Sequence, residues 1–126
     1  MFLAAAELCK HRFNVTPTSR NMAGADLLIT DDTCRYTWTI QVRVADQTYK
    51  RRHGWLIGPK VKMTAHPTHA YIFVVLNRDA FPDFYIVPSE FVSARQKGAS
   101  MPVFSRKDAE PFRDGWELLR PAKRGS

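Results

Sequence analysis

The sequence predicts an α/β domain with one mixed, mostly antiparallel sheet of about five strands that is flanked by helices. Residues 36–44 alternate between apolar and polar side chains, which is typical of a strand with one polar face. Residues 70–76 form an unbroken apolar run, which is typical of a strand covered on both faces. Residues 3–13 carry apolar side chains at helical spacing, so a helix is expected ahead of the strands.

In the first half of the chain the pattern predicts one helix and three strands. The helix spans Leu3 to Phe13, and Val15 lies in a short extended segment after it. A strand from Ala25 to Thr30 shows little alternation, so it is expected to be buried on both faces. A turn at 31–33 connects this strand to the alternating strand at 36–44.

The second half is expected to begin with a long irregular crossover. Glycines and prolines interrupt residues 46–68 throughout, which disfavours regular structure there. The apolar strand at 70–76 follows, and then a further strand at 84–87. Ser89 is the expected N-cap of a helix over residues 90–96.

The chain is predicted to form a single domain, 1–126, because this length is typical of one hydrophobic core. Residues 110–126 are expected to be a looser C-terminal segment that ends in a basic tail. Within it, Phe112, Trp116 and Leu119 are spaced to form a short amphipathic turn that docks on the core.

Composition and the N-terminal residues indicate a soluble, cytoplasmic protein. No apolar run approaches the roughly 18 residues that a membrane span needs, so no membrane partner is expected. No basic residue precedes the short apolar stretch at the N-terminus, which argues against a signal peptide. Cys9 and Cys34 lack the spacing of a metal site and are expected to be buried thiols.

Positive charge is concentrated in one segment. The net charge is +7, and residues 35–62 contain seven basic side chains that only Asp46 opposes. This suits a polyanionic partner such as DNA, although a solvated loop gives the same pattern. The residues expected to follow a nucleic-acid backbone are Lys50, Arg51, Arg52, Lys60 and Lys62. Trp55 lies among them, and its indole is expected either to stack on a base or to pack in the core.

Three polar residues on two adjacent predicted strands form the candidate site. Asp26 opens one strand, and Gln41 and Arg43 lie two residues apart on the next. Strand side chains alternate between faces, so Gln41 and Arg43 share one face, and pairing of the two strands brings Asp26 to the same edge. The simpler interpretations are that Asp26 is a turn or cap residue and that the other two form the solvated face of an antiparallel strand.

A zinc site is not expected from the histidines. His66 and His69 have metal-ligand spacing only in a helix, which Pro67 disfavours, and no third ligand lies in register. The sequence also contains no glycine-rich phosphate-binding loop.

The predicted order of elements, together with three short motifs, resembles the PD-(D/E)XK nuclease superfamily, in particular its small endonuclease-like and Holliday-junction-resolvase-like proteins of prokaryotes. The motifs are Gly24-Ala25-Asp26-Leu27-Leu28-Ile29, Ile40-Gln41-Val42-Arg43 and Phe84-Tyr85-Ile86-Val87-Pro88-Ser89. The resemblance covers roughly residues 3–97 and implies a restriction-endonuclease-like core.

The resemblance implies a metal-dependent site that hydrolyses phosphodiester bonds in DNA. Asp26, Gln41 and Arg43 stand at the three superfamily positions and are the implied catalytic residues. Asp26, Gln41 and the backbone carbonyl of Val42 are the implied ligands of Mg²⁺ or Mn²⁺, which would stabilise charge on the attacked phosphate. Enzymes of this fold often pair to cut two strands, so a homodimer is a further expectation.

Departures from the superfamily pattern leave the reaction open. Gln41 stands where many members have Glu, and a neutral amide oxygen binds a cation more weakly than a carboxylate. Arg43 stands in place of a lysine, and an arginine stays protonated, so it can clamp a phosphate but cannot act as a base. A metal-binding Glu of the first helix would fall at about Met1, so it is absent or precedes this chain, and Glu7 lies too far along the helix. Two hypotheses therefore stand: a Mg²⁺- or Mn²⁺-dependent endonuclease, and a catalytically inactive nuclease-fold protein that binds nucleic acid or a protein partner.

Overall fold

The computed structural model describes residues 2–17, 27–31, 36–46, 54–56, 67–77, 80–96 and 103–119. Its helices and strands are α1 (Phe2–Lys10), β1 (Asn14–Pro17), β2 (Leu27–Thr30), β3 (Thr37–Asp46), β4 (Gly54–Leu56), β5 (His69–Leu76), β6 (Asp83–Pro88), α2 (Ser89–Gln96), β7 (Val103–Ser105) and α3 (Arg106–Ala109). Two short 3₁₀ helices follow at Glu110–Phe112 and Trp116–Leu119. No helix within these described ranges is both long and apolar enough to cross a membrane.

Five strands form one mixed sheet in the order β1-β2-β3-β5-β6. Neighbouring strands run antiparallel except for β3 and β5, which run parallel from the Thr39–His69 pair to the Asp46–Leu76 pair. A parallel pair needs a crossover of about a dozen residues or more, and the chain between β3 and β5 is long enough to supply it. The prediction of an α/β chain with a mixed, mostly antiparallel five-stranded sheet is therefore confirmed.

The first face of the sheet is largely aliphatic and packs against α1. Alternate residues of β2, β3, β5 and β6 form a cluster with Ala4 and Leu8 of the helix. The sheet residues of this cluster are Leu27, Ile29, Ile40, Val42, Ala70, Ile72, Val74, Phe84 and Ile86. The predicted alternation over 36–44 is confirmed at its centre, whereas Tyr36 and Val44 are exposed because they lie outside this cluster, towards the ends of the strand.

The second face of the sheet is aromatic. The rings of Tyr71 and Phe73 on β5 stack with centroids 5.5 Å apart, and Phe104 of β7 stacks on Phe73 at 5.0 Å. Trp55, Tyr85, Val87, Val92 and Ala109 complete this cluster. Every residue of β5 except Leu76 is buried, so the expectation of a central strand covered on both faces is confirmed.

A second, two-stranded sheet covers the aromatic face. It consists of β4 and β7, which run antiparallel with Trp55 opposite Phe104. The sequence predicts irregular structure over 46–68, which is wrong for β4, and it does not predict β7. Strands of three residues are too short to show a hydrophobic period, so their pairing depends on contacts made far away in the sequence.

The C-terminal segment crosses the outer edge of β6 and packs on both faces of the sheet. Arg113 forms an antiparallel bridge with Tyr85, and the amide of Asp114 donates to the carbonyl of Phe84 over 2.9 Å. Phe112 packs against the aromatic cluster, whereas Trp116 and Leu119 belong to the aliphatic cluster. The prediction that these three residues dock on the core is confirmed, but the single amphipathic turn is wrong, because the chain carries them to opposite faces.

Helix α1 ends earlier than its apolar pattern predicted. Arg12 has a φ of 68°, and the amide of Phe13 donates back to the carbonyl of Leu8 over 3.0 Å. This turn directs the Phe13 ring into the aliphatic cluster, which explains why its spacing resembled a continuing helix. Cys9 is an exposed free thiol, so the expectation that it is buried is wrong; Cys34 lies outside the described residues.

Candidate functional site on strand β3

The candidate site is a row of polar side chains on strand β3. Ile40 and Val42 point into the aliphatic cluster, so Thr39, Gln41 and Arg43 lie on the opposite face of the sheet. All three polar residues are partly exposed. Strand β3 is an internal strand between β2 and β5, so the row lies within the sheet rather than on an edge strand.

An aromatic wall borders this polar row. The parallel register pairs Gln41 with Tyr71 and Arg43 with Phe73, and both rings are almost completely buried. Buried rings exclude water from one side of the row, which lowers the local dielectric constant and strengthens charge interactions there. An anion that reaches Arg43 would therefore interact with it more strongly than it would on an open surface.

The guanidinium of Arg43 folds back onto its own strand. Its Nη1 donates a hydrogen bond of 3.1 Å to the carbonyl oxygen of Val42. This contact holds a permanent positive charge at the carbonyl that the superfamily resemblance assigns to the metal. A hydrogen bond from a charged donor is stronger than a neutral one, so it also restrains the position of the guanidinium.

The described residues at this site offer a divalent cation only neutral ligands. Their candidate oxygen ligands, the amide of Gln41 and the carbonyl of Val42, are both neutral, and the second accepts from Arg43. Two unit charges of like sign about 4 Å apart repel by ~4 kcal/mol at an effective dielectric constant of about 20, and a divalent ion doubles that figure. Within the described ranges, no group of three or more His, Cys, Asp or Glu residues could hold a metal ion.

Asp26, the predicted carboxylate ligand, lies outside the described residues. Strand β2 begins at Leu27, which directly follows Asp26 in sequence and pairs with Ile40 on β3. The antiparallel pairing of β2 with β3, on which the predicted site depends, is present. The role of Asp26 itself stays a prediction.

A buried histidine on β5, which is not among the predicted site residues, extends the polar row. His69 lies opposite Thr39, and its Nδ1 shares a hydrogen bond of 2.6 Å with the threonine hydroxyl. The ring also meets the Tyr71 ring edge-on at 5.5 Å. His69 was considered only together with His66, which lies outside the described residues. The parallel pairing of β3 with β5 joins His69 to this row, and no local pattern signals that register.

Trp55 packs in the core rather than on the surface. Its side chain is 2% exposed, its ring lies 4.7 Å from that of Phe73 and 5.5 Å from that of Tyr85, and its Nε1 donates to the Val74 carbonyl over 3.0 Å. A ring enclosed in this way has no open face for a nucleic-acid base. Of the two expectations for Trp55, core packing is confirmed, and stacking on a base stays a prediction.

The predicted backbone-contacting residues are Lys50, Arg51, Arg52, Lys60 and Lys62, and all of them lie outside the described residues. Strand β4, which stands between the two basic groups in sequence, is described. Its Trp55 contacts Phe73, and Phe73 is the register partner of Arg43. Strand β4 therefore packs on the same face of the sheet as Arg43.

Comparisons with known proteins add no family assignment. The chain matches no family model, no curated protein and no solved structure. The ground for a functional proposal is thus the geometry of β3, β4 and β5.

Proposed function

We propose that this protein is a DNA-binding domain with a restriction-endonuclease-like core, in which Arg43 binds a backbone phosphate at the position where nucleases of this kind hold a metal ion. The hydrogen bond from Arg43 to the Val42 carbonyl carries this proposal. This hydrogen bond fixes the Arg43 guanidinium, which is a cation and not a metal ligand, in the polar row.

The chemistry of arginine supports phosphate binding. The guanidinium has five N–H donors in a planar fork that matches two phosphate oxygens, so contact with Val42 and contact with a phosphate are compatible. A side chain that is already restrained loses less conformational entropy when its ligand binds. Gln41, two residues away on the same face, can add a neutral hydrogen bond to a phosphate or sugar oxygen.

Basic residues flank strand β4 in sequence, and β4 itself packs on the same face of the sheet as Arg43. Arg51 and Arg52 precede Gly54 by three and two residues in sequence, and Trp55 is fixed against Phe73 beside the polar row. Phosphate contacts from lysine and arginine supply most of the affinity of non-specific DNA binding. The net charge of +7 favours the same class of partner.

The topology supports the fold part of the proposal. Helix α1, three antiparallel strands, a parallel crossover to β5, then β6 and α2 follow the element order on which the superfamily resemblance was based. Gln41 and Arg43 lie on β3, the third strand in chain order, which is where the resemblance expects this motif.

Metal-dependent hydrolysis of phosphodiester bonds is the second candidate function. The observation that favours it is the pairing of Leu27 with Ile40, because these two residues directly neighbour Asp26 and Gln41 in sequence. This function requires that Asp26 lies beside Gln41 and that Arg43 leaves the Val42 carbonyl when a metal binds.

DNA binding and cleavage assays separate the two functions. We expect the protein to bind labelled duplex DNA in EDTA. Arg43→Ala should weaken this binding about tenfold. It should also reduce the slope of log K against log salt by about one, which corresponds to one phosphate contact. Lys10→Ala is the matched control, because it removes an exposed charge on α1, at the opposite face, and should change affinity little. Cleavage of supercoiled or branched DNA with Mn²⁺ that Asp26→Ala abolishes would favour the second function, and absence of salt-sensitive binding would contradict both.

A further inference from the structure

Thr39 lies at the opposite end of the polar row from Arg43, and a buried histidine contacts it. Thr39 itself is partly exposed, whereas His69 is only 5% exposed. The Nδ1 atom of His69 lies 2.6 Å from the hydroxyl oxygen of Thr39, which makes this a short hydrogen bond between two side chains. Thr39 therefore joins a buried imidazole to the partly exposed polar row.

Both members of this pair are restrained by their surroundings. Thr39 pairs with Leu28 on β2 and with His69 on β5. Its amide also donates to the carbonyl of Thr68 over 3.0 Å. The ring of His69 meets the Tyr71 ring edge-on at 5.5 Å. Because a β-branched side chain has few χ1 rotamers, the Thr39 hydroxyl loses little conformational entropy when a ligand binds to it.

The hydrogen bond between Thr39 and His69 allows two positions of its proton. Either the hydroxyl donates to an Nδ1 that carries no proton, or an Nδ1 that carries the proton donates to the hydroxyl oxygen. In the first arrangement the hydroxyl has no proton left for another acceptor. In the second arrangement the hydroxyl keeps its own proton and can donate it to an anion, so Thr39 becomes an oriented neutral donor in the polar row.

The position of Thr39 relative to Arg43 fits two phosphates of one DNA strand. The two residues lie on the same face of β3 and are four residues apart, which is about 13 Å along a strand. Consecutive nucleotides of a B-form strand advance by about 3.4 Å, so this distance corresponds to roughly four nucleotide steps. Threonine hydroxyls are among the groups that proteins use to contact DNA phosphates.

We propose that Thr39, oriented by His69, donates a hydrogen bond to a second DNA phosphate while Arg43 binds the first, so that one DNA strand lies along β3. This inference rests on the proposed DNA-binding function and specifies how the DNA lies on the site. His69 is buried and acts through Thr39, so it is a positioning residue. The Thr39 contact is neutral, so it adds affinity without adding to the release of counterions.

Affinity for a labelled duplex, measured over a range of salt concentrations at which all variants are folded, tests the Thr39 contact. Thr39→Val should weaken binding about tenfold, because the phosphate loses a hydrogen-bond donor. The slope of log K against log salt should stay at its wild-type value, whereas Arg43→Ala reduces that slope by about one. Thr39→Ser keeps the hydroxyl and should retain most of the affinity. Thr37→Val is the matched control, because it removes an exposed hydroxyl on the same face of β3 and should bind as the wild type does.

The proton on His69 gives a second readout, which does not depend on the stability of a variant. Protein with isotope-labelled histidine is observed by NMR with and without the duplex, and His69→Gln identifies which of the four histidines gives each signal of His69. We expect Nδ1 of His69 to carry a proton in the DNA complex. An Nδ1 without a proton in the complex would leave Thr39 no proton to donate and would overturn the inference.

The possible results separate this inference from the function on which it rests. Wild-type affinity of Thr39→Val, or a loss that Thr39→Ser shares in full, overturns the Thr39 contact and leaves DNA binding intact. A reduced salt slope for Thr39→Val also overturns it, because a neutral donor releases no counterions. Equal weakening by Thr37→Val would show that His69 gives Thr39 no special role. Absence of DNA binding by the wild type overturns the inference together with the proposed function.

Discussion

Arg43 donates a hydrogen bond of 3.1 Å to the carbonyl oxygen of Val42, its neighbour in the chain. The contact places a permanent cation on an oxygen that a nuclease of the resembling kind would offer to its metal ion. At the position where the resemblance implies a lysine, arginine therefore has a physical consequence at a named atom. Phosphate binding by Arg43 requires that the guanidinium holds this position when DNA is present.

The hydrogen bond between Thr39 and His69 should contribute to stability. Thr39→Val keeps the shape and strand preference of the side chain but removes the 2.6 Å contact with Nδ1. We expect a loss of about 1–2 kcal/mol in the free energy of unfolding, measured from the urea midpoint at an unchanged m-value. Thr37→Val, at an exposed position on the same strand, is the control and should stay within about 0.5 kcal/mol. Equal midpoints for the two variants would show that the Thr39 contact contributes nothing.

Trp55 should affect stability and not DNA affinity. Trp55→Phe removes the hydrogen bond to the Val74 carbonyl and part of the contact with Phe73 and Tyr85. The expected loss is about 1–3 kcal/mol in the free energy of unfolding. DNA affinity, measured well below the unfolding temperature, should match that of the wild type. A variant of unchanged stability with weakened DNA binding would instead indicate that the indole reaches the ligand.

Asp83 should act as an electrostatic link between the β5–β6 turn and the C-terminal segment. Asp83→Asn removes the charge that Arg113 and Arg106 share, and we expect a loss of about 1 kcal/mol that becomes smaller as salt is raised. Glu110→Gln is the control, since its contact with Arg113 is 3.6 Å long and exposed. Thermal unfolding at low and high salt checks both variants, and a salt-independent loss would contradict the electrostatic explanation.

The contribution of Arg113 to the free energy of unfolding should not change with pH around neutrality. Asp83, followed by Tyr85, raises the pKa of Arg113 above its usual value. A raised folded-state pKa gives a contribution that is fully present below the unfolded-state pKa and is lost only as pH rises through the folded value. The free energy of unfolding of Arg113→Gln should therefore differ from that of the wild type by a constant amount across neutral and mildly alkaline pH. A difference that changes over this range would contradict the assignment.

Long periodic segments of this fold could be predicted from sequence, and short ones could not. The alternation around Ile40 and the apolar run of β5 each follow from one period repeated over several residues. Strands β4 and β7 have three residues each, and they pair with each other, with Trp55 opposite Phe104, across a long stretch of sequence. Phe112 and Trp116 are spaced like one amphipathic turn, although they pack on opposite faces of the sheet.

The candidate site could be located from sequence more accurately than it could be described. Alternation alone places Gln41 and Arg43 on one face of β3. It cannot show that Arg43 turns back to Val42, because a side-chain rotamer depends on its surroundings. Nor could it join His69 to Thr39, because the register of a parallel pair is set by tertiary packing and not by the residues between the two strands.

The metal dependence of DNA binding distinguishes a phosphate-binding Arg43 from a metal centre. Affinity for a labelled duplex is measured by fluorescence anisotropy in EDTA and in Mg²⁺ at constant ionic strength, for the wild type and for Arg43→Lys. If the Arg43 guanidinium takes the place of the metal, the wild type has the same affinity for DNA in both buffers. The lysine variant should gain affinity with Mg²⁺, because its single ammonium group is a more compact charge that can leave the Val42 carbonyl. Wild-type binding that appears only with Mg²⁺ would contradict the claim and would identify the site as a metal centre.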